Sequence, residues 1–257
     1  MLLRQIDASL GLSRTLAGCF EDRRDQRFVD HSMVQLLAQR IYAVGLGYED
    51  LNDLTELRRD RGIALASPST LNRLELSNHK ASSAHKLPHD PAKVQACLLR
   101  MGVRCLPKHA KEIVLDLDSV RHLLQGLREG RHYNDYYGDC CNVPLFIVAG
   151  DVVLWAQLRT SDMDGADGVM SALEKIMAAI RRRCKKSRII VRGESGFCRD
   201  AIMTCCEGQP DVYYSLGWVK TRCCSKTWRR RRPPRECAPV SAARPACGSL
   251  PSSRIAR

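Results

Sequence analysis

The sequence predicts an α/β (α+β) protein: a helical N-terminal module followed by a mixed β-sheet with helices on its faces. Three observations carry that reading. Apolar residues recur at helical spacing over roughly the first 75 residues, and from Lys111 onward they fall into short unbroken runs of strand length. The later elements follow the order β-β-β-α-β-α-β, three consecutive strands and then helix-linked ones, which describes a mixed sheet. A dinucleotide-binding sheet would alternate strand and helix from its start, and no G-x-G-x-x-G follows any of these strands.

Asp30 is placed to cap a helix in which Met33, Leu37, Ile41, Val44 and Tyr48 share one face, and Gly45 and Gly47 mark its end. "YEDLNDLTELRRD" and "SPSTLNRLEL" read as further short helices, the second capped by Ser69 or Thr70 after Pro68. Residues 1–76 thus read as a helical module. "SNHKASSAHKLPHDP" is a polar, histidine-rich linker, and helix resumes from Pro91 to Met101, so that 77–110 is linker and helix.

From Lys111, "EIVLDLD" is an apolar run ending in acids, and "NVPLFIVAG" and "DVVLWAQLR" are two strands joined by a tight turn at Gly150-Asp151. Asp167 starts a helix whose Val169, Leu173, Ile176 and Ile180 lie on one face and whose last turn is basic, as the helix dipole favours. "SRIIVRGE" is the fourth strand, "GFCRDAIMTCCEG" a helix stopped by Gly208, and "DVYYSLG" the fifth strand. This second domain occupies 111–218.

Composition excludes several classes. Of the net charge of +13, +10 lies in residues 220–257, where eleven Lys or Arg face Glu236 alone. The domains before it are close to neutral, so a basic total argues nucleic-acid contact chiefly for the tail. The 13 cysteines include no C-x-x-C pair, which argues against structural zinc. Arg4 and Asp7 interrupt any apolar signal segment, no run approaches the ~20 residues of a membrane span, and the expected location is the cytoplasm.

The first strand ends in Asp116 and Asp118, and the fourth runs out at Glu194. If these strands are parallel neighbours, their carboxylates meet at one rim of the sheet. Oxygen ligands without cysteine or histidine suit a hard cation such as Mg²⁺ or Mn²⁺, and two such ions can activate an attacking oxygen and steady a leaving one in phosphodiester chemistry. The same acids could instead cap helices or pair with Arg192, Arg128 and Arg131. A serine-hydrolase elbow at Gly193-Glu194-Ser195-Gly196 is excluded, because Phe197 stands where glycine is required and no histidine follows His132.

The blocks "YEDLNDLTELRRD", "STLNRLEL", "IVLDLD", "EGRHYNDYYGDCCNVPLFIVAG", "LRTSDMDGADG" and "RIIVRGESGFCRDAIMTCCEG" together resemble bacterial insertion-sequence transposases of the DDE class, from about Ile6 to about Trp218. The resemblance implies a ribonuclease-H-like catalytic domain in which three acids hold two divalent ions, cut DNA at element ends and join the freed 3′ hydroxyl to a target. It implies Asp118 as the first catalytic acid, with Asp116 in reserve, and Glu194 as the second, where relatives carry aspartate in "DSGF". Asp118 and Glu194 are then also the metal ligands. His122 and Gln125 stand where relatives show further acids and a histidine-glycine pair. The third acid has no counterpart here. The partners implied are element-end and target DNA and a possible second copy of the chain, with no membrane. The candidate DNA contacts are Arg192, Arg229, Arg230, Arg231 and Arg232.

Residues 219–257 are basic and proline-rich, with no apolar periodicity, and read as a disordered tail. Their composition resembles GC-rich coding DNA read out of frame, which implies a frameshift near Val219 and a truncated, inactive copy, as does the short stretch between Arg61 and Ser67. An alternative is a genuine arginine-rich arm that grips phosphates.

Overall fold

The computed structural model describes residues 2–54, 65–77, 86–124, 132–217 and 254–256, the last three by their backbone. Residues 55–60 of the predicted helix over "YEDLNDLTELRRD" fall outside them, as do part of the polar linker, Gln125, Arg128, Arg131, the four arginines Arg229 to Arg232 and nearly all of the tail. The chain divides into two compact units, Met1–Cys105 and Leu106–Arg257.

The first unit is helical: α1 (Leu2–Leu10), α2 (Leu12–Ala17), α3 (Met33–Gly45), α4 (Pro68–Glu75) and α5 (Pro91–Cys105). Gly11, at φ 67°, turns α1 into α2, and Asp7 fastens that corner. Its carboxylate accepts from the Ser13 backbone N–H at 2.9 Å and from the Tyr42 hydroxyl of α3 at 2.7 Å. Two caps differ from expectation. Ser32, not Asp30, caps α3, because it makes a reciprocal capping box with Gln35. Ser67, not Ser69 or Thr70, caps α4, which leaves Pro68 at the first helical position, where its missing N–H costs nothing.

Met33, Leu36 and Leu37 of α3 pack with Leu71 and Leu74 of α4, Leu54, Ala66 and Leu87. Val44, expected on this face, is 49% exposed, and Ala43 is buried in its stead. α5 runs four residues beyond its expected end and belongs to this unit, where Cys97 and Met101 pack on Cys19.

The second unit is built on β1 (Glu112–Ser119), β5 (Leu145–Ala149), β6 (Val152–Gln157), β7 (Arg188–Gly193) and β8 (Val212–Leu216), in the order β6-β5-β1-β7-β8. β5 is antiparallel to both of its neighbours, β6 and β1, whereas β1, β7 and β8 are parallel. Within the tail, Arg254–Ala256 form β9, antiparallel to β8. Alternation fixes the core. Ile113, Leu115 and Leu117 of β1 and Ile189 and Val191 of β7 are buried, and so is the row Val169, Leu173, Ile176, Ile180 of α6 (Val169–Arg183). α6 starts at Val169 behind Gly168, at φ 78°, two residues later than Asp167 suggests. α7 (Asp200–Glu207) packs on β8 and buries Ile202 and Cys206.

A second, three-stranded sheet, β2 (His122–Leu123), β4 (Asp139–Asn142) and β3 (Tyr133–Asn134), lies between β1 and β5 in the chain. Sequence periodicity does not foretell it, because two-residue strands carry no period. No described helix is long and apolar enough to cross a membrane.

Candidate active site at the sheet rim

The parallel pairing on which the site depends is present. β1 and β7 are paired from Glu112↔Arg188 to Leu117↔Gly193. Asp118 and Glu194 are each the next residue along, so the two carboxylates stand at the same end of adjacent strands. Alternation assigns Val114, Asp116 and Asp118 to the face opposite the buried row, and Ile190, Arg192 and Glu194 to the same face of β7. Asp118 and Glu194 are both exposed, and among the described residues neither carboxylate has a hydrogen bond or ion pair. Glu194 is the N-cap residue of the short 3₁₀ turn Ser195–Phe197, yet its side chain caps nothing.

Asp116 is engaged differently. It lies directly across from Arg192, whose Nη2 donates to Oδ2 at 2.8 Å while Nε donates to Oδ1, a two-pronged pair that raises the Arg192 pKa. The reserve acid is therefore held by the arginine read from sequence as a DNA contact. Glu207, the glutamate that precedes β8, is also engaged. It accepts from the Tyr214 hydroxyl at 2.7 Å, and burial together with that bond pushes the Tyr214 phenol up to about 12. Among the described residues no three of His, Cys, Asp and Glu are grouped as a metal site.

Two glycines shape the rim. A Cβ on Gly193 would sit 3.3 Å from Leu117 Cβ and 3.2 Å from the Phe197 ring. A Cβ on Gly217 would sit 2.8 Å from the backbone nitrogen of Ser195. Gly217 also donates its N–H to the Gly193 carbonyl at 2.9 Å, so the end of β8 presses directly on the turn that carries Glu194.

Neighbouring groups enter from the small sheet and the loop after β6. Burial pushes the Tyr137 phenol up; the charges of Tyr136, Cys141 and Glu194 act the same way, while Arg121 opposes them. Arg159 is 3% exposed and organises the loop after β6. Its Nε donates to Val143 O at 3.0 Å and its Nη1 to Gly165 O and Asp167 O at 3.0 and 2.8 Å. Burial holds its pKa below the usual arginine range. Arg199 reaches back to the same loop through Asp164 at 2.9 Å. Sequence reading passed over Tyr137 and Arg159. The tyrosine-rich turn "HYNDYYGD" was the available signal for the first, and nothing in the spacing marked the second. His122 lies in β2, lining an open cleft of about 540 Å³ with Leu123, Phe146 and Gln157.

The sequence profile of the transposase DDE domain, group 1, matches residues 1–233. The chain belongs to the DDE transposases. No curated protein matches it. Among solved structures, the Mos1 transposase paired-end complex with the left transposon end is 10% identical at a TM-score of 0.27, over 82% of this chain and 72% of that one. The Mos1 strand transfer complex is 10% identical at a TM-score of 0.26, over 79% of each chain. As a DDE transposase, the chain carries its mixed sheet and its two rim acids in the part of the sequence that the family profile covers.

Proposed function

We propose that the rim of this transposase is a divalent-cation site of the kind that serves metal-dependent phosphoryl transfer on DNA, with Asp118 and Glu194 as the residues that hold Mg²⁺ or Mn²⁺. The observation that carries the proposal is the β1–β7 register, which brings two exposed carboxylates, neither with a hydrogen bond or ion pair among the described residues, to one end of adjacent parallel strands. The donor set fits a hard cation, since only oxygen ligands are offered. Such an ion, when bound, supplies charge stabilisation at the phosphodiester and a more acidic oxygen nucleophile.

The residues of the chain have separable parts in this reading. Asp118 and Glu194 bind the cation. Asp116, held by Arg192, stays out of the ligand set and keeps that guanidinium over the same face, where 62% exposure of its side chain leaves it able to meet a phosphate. DNA, at element ends and target, is the partner, and the basic residues of 220–257 add attraction without sequence preference.

The chain as it stands binds DNA with little or no cleavage. Glutamate at 194 carries its carboxylate about 1.5 Å further than aspartate would, and Mg²⁺ tolerates little distortion of its octahedral shell. No third acid joins the pair among the described residues. This favours, as the second reading, a DNA-binding remnant that competes with an active transposase for element ends. A cleavage assay with Mn²⁺ on DNA bearing the inverted repeats that flank the gene, run beside a binding assay on the same DNA, tests both. Binding without cleavage is the expected result, cleavage overturns the inactivity, and failure to bind overturns the DNA reading.

A further inference from the structure

We infer that the β3–β4 turn, together with Arg121, is a stacking platform for an unpaired strand of DNA beside the Glu194 end of the rim; this rests on the reading that the rim acts on DNA. Three tyrosines lie in this hairpin, and two of them are turned outward. Tyr136 is 88% and Tyr133 61% exposed. The rings of Tyr136 and Tyr137 meet edge to face at 4.9 Å, so that Tyr137, half-buried, braces Tyr136. The Arg121 guanidinium lies 5.8 Å from the Tyr137 ring centroid and is also placed by Asp139.

The turn is fixed to the body of its unit. Asn134 Oδ1 accepts from the backbone N–H of both Tyr136 and Tyr137 at 3.1 Å, and its Nδ2 donates to the carbonyl of Ser161 at 2.9 Å. Ser161, 5% exposed, donates its hydroxyl to His132 O at 2.9 Å. Gly138, at φ 66°, closes the turn with an N–H donated to the Asn134 carbonyl at 2.8 Å. An exposed aromatic on a rigid turn loses little freedom when a base lies on it, and every base has a face to offer, so the preference is for strand state and not for sequence. Bases in a duplex are already stacked on each other and present no such face.

The position of the exposed rings beside Arg121 and the end of β1 favours nucleic acid as the occupant. Arg121 follows directly on β1, two residues after its end at Ser119, and Tyr137 lies within the electrostatic reach of Glu194. Arg121, 42% exposed at its side chain and reaching the turn through Asp139 and the Tyr137 ring, offers a cation to a phosphate backbone. A strand whose bases stack on Tyr136 therefore runs beside the carboxylates, where a freed end would lie.

The test uses the full chain, a fluorescein-labelled oligothymidine and a duplex of equal length, with affinity read by anisotropy. Tyr136→Ala is expected to weaken oligothymidine binding by about 5- to 150-fold while leaving duplex binding unchanged, and Tyr136→Phe is expected to retain both. Equal oligothymidine affinity in Tyr136→Ala and the unaltered chain, with duplex still bound, overturns the platform and leaves the DNA reading intact. No binding of either DNA by the unaltered chain overturns both. A change in sedimentation of Tyr136→Ala without a change in DNA affinity assigns the turn to a protein interface and likewise overturns the platform.

Discussion

Asp118 and Glu194 occupy the same level of two adjacent parallel strands, each one residue beyond the final ladder pair Leu117↔Gly193. One position earlier on the same face, Asp116 and Arg192 satisfy each other. The rim thus separates an ion pair that supports the sheet from two acids with no hydrogen bond or ion pair among the described residues.

That separation predicts different outcomes for neighbouring aspartates. Asp116→Asn should leave Mn²⁺ binding in place and cost no more than about 1 kcal/mol of stability, because the Arg192 side of the pair is largely solvated. Asp118→Asn should leave stability unchanged and lose the ion. Urea unfolding and Mn²⁺ titration of both variants check the pair of outcomes.

Gly217→Ala should destabilise the second unit by about 1–3 kcal/mol, since the added carbon meets the backbone of Ser195, which cannot rotate away. The same change should displace Glu194. Gly193→Ala should cost less, as its contacts are the side chains of Leu117 and Phe197. Denaturant midpoints for the two variants give the comparison.

The α1–α2 corner should be acid-sensitive. Burial pushes Asp7 up, but the hydrogen bonds from Ser13 and Tyr42 outweigh it and leave the pKa below its ordinary value of 3.8. A depressed folded pKa contributes stability that is complete above the unfolded value and is lost as pH falls through the folded one. The stability difference between the unaltered chain and Asp7→Asn should therefore be constant above about pH 5 and shrink as pH drops below 3.8. Urea midpoints from pH 6 to pH 2.5 measure it; a difference that grows on acidification would contradict the assignment.

Cysteine reactivity should follow burial. Cys206 is fully buried and its thiol is pushed up to about 12 by that burial, whereas Cys105 is exposed. Alkylation at pH 8 followed by peptide mass mapping should modify Cys105 quickly and Cys206 only after unfolding.

The strands of the main sheet were legible because each is either a short apolar run or an alternation bounded by Gly or Asp. Val169, Leu173, Ile176 and Ile180 marked α6 just as clearly, and all four are buried. Cap positions were less legible. Asp30, Ser69, Thr70 and Asp167 are all good capping residues in isolation, but the cap is decided by which backbone N–H groups the neighbouring side chain reaches, as Ser32 and Ser67 do. The small sheet was invisible for want of a period. At the rim, the acids were legible as strand ends, whereas the division of Asp116 from Asp118 required the cross-strand register with Arg192, which no single strand contains.

Asp118 and Glu194 are proposed to hold a divalent cation together. The most direct measurement is Mn²⁺ binding, followed by electron paramagnetic resonance, to the unaltered chain and to Asp118→Asn, Glu194→Gln and Asp116→Asn. The account predicts that the first two changes each weaken binding by about tenfold or more, a loss of about 1.4 kcal/mol, and that the third leaves it unchanged. Equal affinity in Asp118→Asn, Glu194→Gln and the unaltered chain, or a loss confined to Asp116→Asn, would contradict it.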